Sequence, residues 1–432
     1  MFRNLSILMV ILLTLSLTAC SRNRDAAIKQ ANTEEKPGST PDVPVVEIER
    51  NQFDFPYSLW EQVNRKGENL FLSPFSIDAA MAMAYTGAAG RTAEEMGKVM
   101  GYEAKPDQEH FAFRKRISML NDIPKRGRAQ LNIANALFNA EANKDILIPE
   151  YTKTLQESFD SDLYSLDFNQ AKETADFINQ WVEKKTHERI KNIISERQIE
   201  DSSDGMVLVN SIYFKSDWMS RFEEFNTRKD TFYTSSERNE KQSKPMPMMK
   251  QTGTFGYGEA GDCKVLEMPF AESELAMIFV LPQDIEATCA ALDHDMWQGW
   301  LKSLSRPREV EVIIPRFRLE HTLDKLVDTF RVLGIRDAFD GGSADFSGIM
   351  KNGITQNLYI SDIVHKAFLE VIEQGTEAAA ATQVGFAKTS FNPPNPDIPV
   401  FRADQPFLCM IVHKVSNEIL FMAKVVDPAD AD

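Results

Sequence analysis

Residues 371–401 read VIEQGTEAAAATQVGFAKTSFNPPNPDIPVF. After Gly375 the side chains turn small or polar, and no large apolar residue recurs at helical spacing to hold a helix against a core. The stretch closes on a proline-rich tail, and a strongly apolar strand pattern resumes only at Phe407. As a strand it would alternate faces. Thr376, Ala378, Ala380 and Thr382 would point one way, and Glu377, Ala379, Ala381 and Gln383 the other. The first set carries no charge and nothing large, so burying it against a sheet requires little desolvation and little space. Its alanines pair poorly as long as they remain outside a sheet.

The surroundings separate into two textures. Residues 78–100, DAAMAMAYTGAAGRTAEEMGKVM, are helix formers broken by glycines. Residues 171–190 place Ala175, Ile178, Trp181 and Val182 on one helical face. Further on, GMVLVNSIYF (205–214) is nearly continuous apolar sequence, as in a strand buried on both faces. CKVLEMPF, LAMIFVLP and VEVIIPRFRL follow as strand patterns, then FLCMIVHKVSNEILFMAKVV as two strands about a Ser416-Asn417 turn. Helices first and sheets later predict an α+β class.

The chain has 432 residues, 43% apolar and 10% aromatic, enough for a large core. Its formal charge of -16 argues against a nucleic-acid partner, for which a basic stripe would be expected. Arg3 precedes the hydrophobic run LSILMVILLTLSL (5–17), which has signal-peptide rather than membrane-spanning length. The run ends LTAC, which resembles a bacterial lipobox. Residues 1–19 are expected to be a signal peptide, and Cys20 the lipidated terminus of the mature protein. Acyl chains contribute ~0.8 kcal/mol per buried CH₂, so this end would anchor firmly. The polar residues 20–50 contain Pro37, Pro41 and Pro44 and form a tether, with one domain over 51–432. Expected localisation is therefore a bacterial cell-envelope membrane, the outer membrane foremost. Of the four cysteines only Cys263, Cys289 and Cys409 remain after Cys20, at no metal-ligand spacing. No disulfide framework, metal or other cofactor is expected.

Motifs for catalysis are missing. There is no G-x-S-x-G, no H-E-x-x-H, and the six histidines lie far apart. Gly256-Tyr257-Gly258-Glu259-Ala260-Gly261 matches G-x-G-x-x-G, but a strand pattern rather than a helix follows it. A helix is what a pyrophosphate site requires. The motif is read as a glycine-rich turn.

Six segments, in order, resemble the serpin family: NLFLSPFSI (69–77), LVNSIYFKSDW (208–218), LEMPFAESELAMIFVLP (266–282), LGIRDAFDGGSADFSGI (333–349), LYISDIVHKAFLEVIEQGTEAAAAT (358–382) and ADQPFLCMIVHKVSNEILFMAKVVDP (403–428). The lipobox and tether resemble bacterial lipoprotein members. The resemblance implies three β-sheets with about eight to nine helices and an exposed reactive-centre loop over about 375–400. It implies a monomeric protease inhibitor rather than an enzyme. A target serine protease, or some cysteine proteases, would cut the loop and be held as a covalent acyl complex while the loop inserts into the central sheet.

The same resemblance assigns residues. Gly375, Thr376, Glu377, Ala378, Ala379, Ala380, Ala381 and Thr382 would form the hinge. Ser73, Ser76, Asn210 and His365 would form the polar shutter between central strands, and Trp218 the breach where insertion starts. The usual scissile bond follows the fourteenth residue after the hinge glycine, which gives Thr389–Ser390. Some members cut one residue earlier, at Lys388–Thr389. Lys388 is the only basic residue between Gly375 and Phe401, so this second bond suits a trypsin-like pocket. Phe386, Ala387 or Thr389 would serve elastase-like or chymotrypsin-like enzymes. The alternative function is a non-inhibitory serpin that binds a ligand or partner. Its hinge would be expected to carry bulky, charged or proline residues, which this one lacks.

Overall fold

The structure is a computed structural model that describes residues 54–123, 129–202, 205–238, 240–271, 274–304, 306–354, 358–376 and 398–431. The signal peptide, Cys20, the tether, Glu377–Thr382 and Lys388, Thr389 and Ser390 lie outside the described residues.

Ten α-helices are present among the described residues. They are α1 (Asp54–Val63), α2 (Pro74–Tyr85), α3 (Gly90–Met100), α4 (Pro106–Asp122), α5 (Pro149–Phe159), α6 (Ala171–Lys185), α7 (Glu196–Asp201), α8 (Ile285–Ala290), α9 (His294–Ser303) and α10 (Leu326–Leu333). The count exceeds the expected eight to nine, and α7 and α8 are only six residues each. The helix pattern over 171–190 stops at Lys185, because His187 and Glu188 take positive φ and turn the chain out of the helix.

The strands are β1 (Leu70–Leu72), β2 (Ala129–Ala140), β3 (Asp162–Leu166), β4 (Met206–Asp217), β5 (Arg228–Tyr233), β6 (Ser243–Ala260), β7 (Cys263–Pro269), β8 (Leu275–Pro282), β9 (Pro307–Pro315), β10 (Phe317–Leu323), β11 (Ile360–Val371), β12 (Gly375–Thr376), β13 (Val400–Arg402), β14 (Phe407–His413) and β15 (Glu418–Val425). One sheet runs β10-β11-β4-β2-β3, with β12 added against β4. The other runs β1-β15-β14-β8-β7-β6-β9-β13, with β5 on β6. The second combines two of the three expected sheets into one hydrogen-bonded network. The 18-residue β6 carries the ladder across: its Ser243–Gly256 part pairs with β5 and β9, and Gly256–Ala260 pairs with β7.

VEVIIPRFRL splits at Arg316 into β9 and β10, which belong to different sheets. The glycine motif lies largely in β6. A Cβ on Gly258 would stand 2.3 Å from the Ser303 carbonyl oxygen, so glycine lets the end of α9 sit on the strand. Gly261 supplies the turn into β7.

The centre of the six-stranded sheet is buried on both faces. Leu208, Ile212 and Phe214 of β4 join the main core, while Val207 and Val209 face a second cluster with Ile178, Val182, Ile190 and Ile193. The central position of β4 explains its nearly continuous apolar sequence.

Candidate functional site

The site is the seam between β4 and β11. The two strands pair in parallel, with Asn210 in register with His365. Ser73 N-caps α2, its hydroxyl accepting from the Ser76 N–H at 3.1 Å, which aims the helix N-terminus at this rung. The Ser73 N–H donates to His365 Nε2 at 3.1 Å. That nitrogen is therefore the acceptor, and Nδ1 carries the proton, donated to Asn210 Oδ1 at 2.5 Å. Asn210 Nδ2 donates to the Ser76 carbonyl at 2.8 Å and faces the Ser76 hydroxyl at 2.5 Å. It also reaches Asn135 Oδ1, opposite it on β2. Ser73, Ser76, Asn210 and His365 are thus brought together, all fully buried. Burial pushes the His365 ring down to about 3, with the nearby His321 adding to the shift, so the ring is neutral.

At the open end of the seam, β11 turns back on itself. Ile372 and Gly375 exchange both backbone hydrogen bonds, at 2.8 and 3.1 Å. Gly375 and Thr376 then lie antiparallel to β4, opposite Asp217 and Ser216. A Cβ on Gly375 would stand 2.0 Å from the Ser216 carbonyl oxygen, so only glycine fits. Thr376 is fully buried, and the Ser216 N–H donates to its hydroxyl at 2.8 Å.

This register has a geometric consequence. Gly375 faces Asp217 on one side and Ile372 on the other, and each lies seven residues along its strand from the Asn210–His365 pair. A strand continuing β12 would therefore find β4 and β11 already in matching register. They would need to move apart by about one strand spacing, ~4.8 Å, without sliding.

Trp218 closes the end of the seam. It stacks on Phe270 at 4.7 Å and 5°, and its indole N–H donates to the Ile372 carbonyl at 3.0 Å. The Trp218 and Phe222 N–H groups donate to the carbonyls of Gln374 and Glu373 at 2.8 and 2.9 Å. The Thr227 hydroxyl donates to the buried Glu373 carboxylate at 2.6 Å, and Gln374 Nε2 donates to Glu224 at 2.7 Å. Of this seal the sequence points only to Trp218; the Thr227–Glu373 and Gln374–Glu224 bonds, and Asn135, are additions made by the structure. Asn135 could have been singled out, since it interrupts the apolar residues of LNIANALF. On the outer face, Lys366 donates to the Lys191 carbonyl at 2.7 Å, holding the segment after α6 over the seam.

The seam is thus polar at its midpoint, and the two-residue β12 lies on β4 at its mouth. The profile of the serpin (serine protease inhibitor) family matches residues 50–428, and the chain belongs to that family. It is 37% identical to human leukocyte elastase inhibitor over 84% of this chain and 94% of that protein. It is 36% identical to an uncharacterised serpin-like protein of Thermococcus kodakarensis, over 87% and 84%. Among solved structures, human thyroxine-binding globulin superposes with a TM-score of 0.74 at 28% identity, over 88% of this chain and 98% of that one.

Proposed function

We propose that this protein is a suicide inhibitor of serine endopeptidases, cut within residues 377–397 and closed by insertion of the cut segment between β4 and β11. The observation that carries the reading is the register at the hinge. Continued past Thr376, the same pairing would set Ala378 between Phe214 and Leu369, and Ala380 between Ile212 and Ala367. Thr382 would fall between Asn210 and His365. Each arriving core-side residue is small, and the one that reaches the shutter brings a hydroxyl. That hydroxyl can both donate and accept, so it can replace the Asn210–His365 bond that its arrival breaks. About ten added ladder hydrogen bonds at ~0.5–1.5 kcal/mol each would release on the order of ten kcal/mol.

While the acyl-enzyme persists, that release would drag the protease across the sheet and deform its active site before deacylation. Lys388–Thr389 is the proposed bond for trypsin-like targets, with Thr389–Ser390 the alternative and a broad trypsin- and elastase-like range overall. Cys20 is the proposed lipid anchor. Incorporation of labelled fatty acid that is lost in Cys20→Ala tests it.

The likeness to thyroxine-binding globulin motivates the second reading, a ligand-binding member. One experiment separates the two. The loop is nicked with a protease that is not trapped, and thermal unfolding is compared before and after. An inhibitor gains stability because a strand has been added. A midpoint that does not rise on nicking contradicts the inserting mechanism.

A further inference from the structure

The six-stranded sheet ends at β10, whose outer side has no strand neighbour among the described residues. An unpaired edge is a template for another chain. The Arg318 N–H points away from β11, because it donates to the Ala429 carbonyl at 3.0 Å. By the alternation of a strand, the N–H groups of Glu320 and Thr322 point the same way. Arg318, Glu320 and Thr322 are exposed, while Phe317, Leu319 and Leu323 are buried.

The residues after β15 reach this edge and are pinned there. The Asn69 side chain accepts from the N–H groups of Val426 and Asp427 at 2.7 and 2.9 Å and donates to the Asp427 carbonyl at 2.7 Å. Lys244 reaches both the Asp427 carboxylate and the Pro428 carbonyl. Pro428 is buried, Ala429 forms an isolated antiparallel bridge with Arg318, and Arg316 Nε meets Asp430 at 3.1 Å. Asp427 and Asp430 thus each have a basic partner, Lys244 on β6 and Arg316 immediately before β10.

We propose that Asp427–Ala431 is an edge guard that keeps β10 from pairing with the β10 of a second copy of this chain. Without it, two β10 strands can join antiparallel with Arg318 opposite Glu320 in both directions. Both residues point their N–H groups outward, so the register forms ladder bonds, and each Glu320, which already meets Lys366 of its own chain at 2.7 Å, gains the Arg318 of the other copy. Such an interface uses the same patch on both copies and closes as a dimer. The proposal does not rest on the inhibitor reading, since its test reads association only.

The test is size-exclusion chromatography with light scattering on the protein and on a variant ending at Val426, at matched concentrations. The full chain is expected as a monomer, and the shortened one as a dimer with at least about tenfold tighter self-association, or ~1.4 kcal/mol. Should shortening impair folding, Asp430→Lys and Lys244→Glu, which loosen the tail but keep it, carry the same expectation. Pairing Arg316→Glu with Asp430→Arg restores the pin and the monomer. Glu320→Arg in the shortened or loosened chain sets arginines opposite each other and returns it to monomer. A full chain that is already dimeric overturns the proposal. So does a shortened or loosened chain that stays monomeric, one that forms open-ended polymers, or a dimer indifferent to Glu320→Arg.

Discussion

Asn210 Oδ1 and His365 Nδ1 lie 2.5 Å apart on β4 and β11, the two strands between which insertion is proposed. The bond holds the seam shut at its midpoint, and the seam cannot part there without breaking it. His365 also accepts from the backbone of Ser73, so its ring fastens β11 both to β4 and to the end of α2.

Acid should weaken this fastening in a defined window. The folded-state pKa of His365 is depressed to about 3 from 6.5, so the unfolded chain binds the proton more readily between those values. The stability that neutral His365 contributes is fully present above pH 6.5 and is lost as pH falls from there towards 3. Each pH unit in that window costs about 1.4 kcal/mol. In His365→Gln the slope of unfolding free energy against pH should flatten by about one proton there. An unchanged slope in denaturant titrations across the window would contradict the assignment. Burial depresses His110 and His321 as well; the wild-type-minus-variant difference removes the His110 background, and repeating it in a His321→Gln background removes the contribution of His321, which is coupled to His365.

Thr376→Arg should separate inhibition from cleavage. The side chain is fully buried beside Ser216, and an arginine forced in without a partner costs several kcal/mol. The variant should be cut at the same bond as the wild type, yet release active protease. Retained inhibition at wild-type stoichiometry would remove Thr376 from the mechanism.

Gly375→Ala should expel the hinge from its present seat. The added Cβ meets backbone, the Ser216 carbonyl at 2.0 Å and the Asp217 Cα at 2.6 Å, and neither can swing aside. A loss of ~1–3 kcal/mol is expected, together with faster amide exchange at Ser216. Unchanged exchange there would show that the contact does not hold the hinge.

Thr227→Val should loosen the seal at the mouth of the seam. Glu373 is 4% exposed and would lose the hydroxyl that donates to it at 2.6 Å. Leaving a buried carboxylate short of a donor costs ~1–3 kcal/mol. The native protein should melt earlier, while the nicked, inserted form changes less. An equal loss in both forms would make the bond ordinary packing.

Much of this architecture is legible in the sequence where one residue's environment follows from its neighbours along the chain. The continuous apolar run of β4 reports a strand covered on both faces, and the Ser416-Asn417 turn appears with Asn417 at positive φ. Ser73, Ser76, Asn210 and His365 were reachable only through resemblance, since nothing local says that a lone histidine on β11 meets an asparagine 155 residues earlier. The break at Arg316 was hidden because an apolar run does not say when it changes sheets. The Glu373–Thr227 seal was hidden for a different reason: both residues look like ordinary loop positions until the fold pairs them across 146 residues.

The most direct test of the central claim is to mix the protein, lacking residues 1–20, with trypsin and with an elastase. Denaturing gels are then run and the released peptide is weighed by mass spectrometry. Trapping by insertion predicts a protease adduct that survives denaturant and, with trypsin, a C-terminal peptide beginning at Thr389. Complete cleavage with no adduct and fully active protease would contradict the inhibitor mechanism, whatever bond is cut.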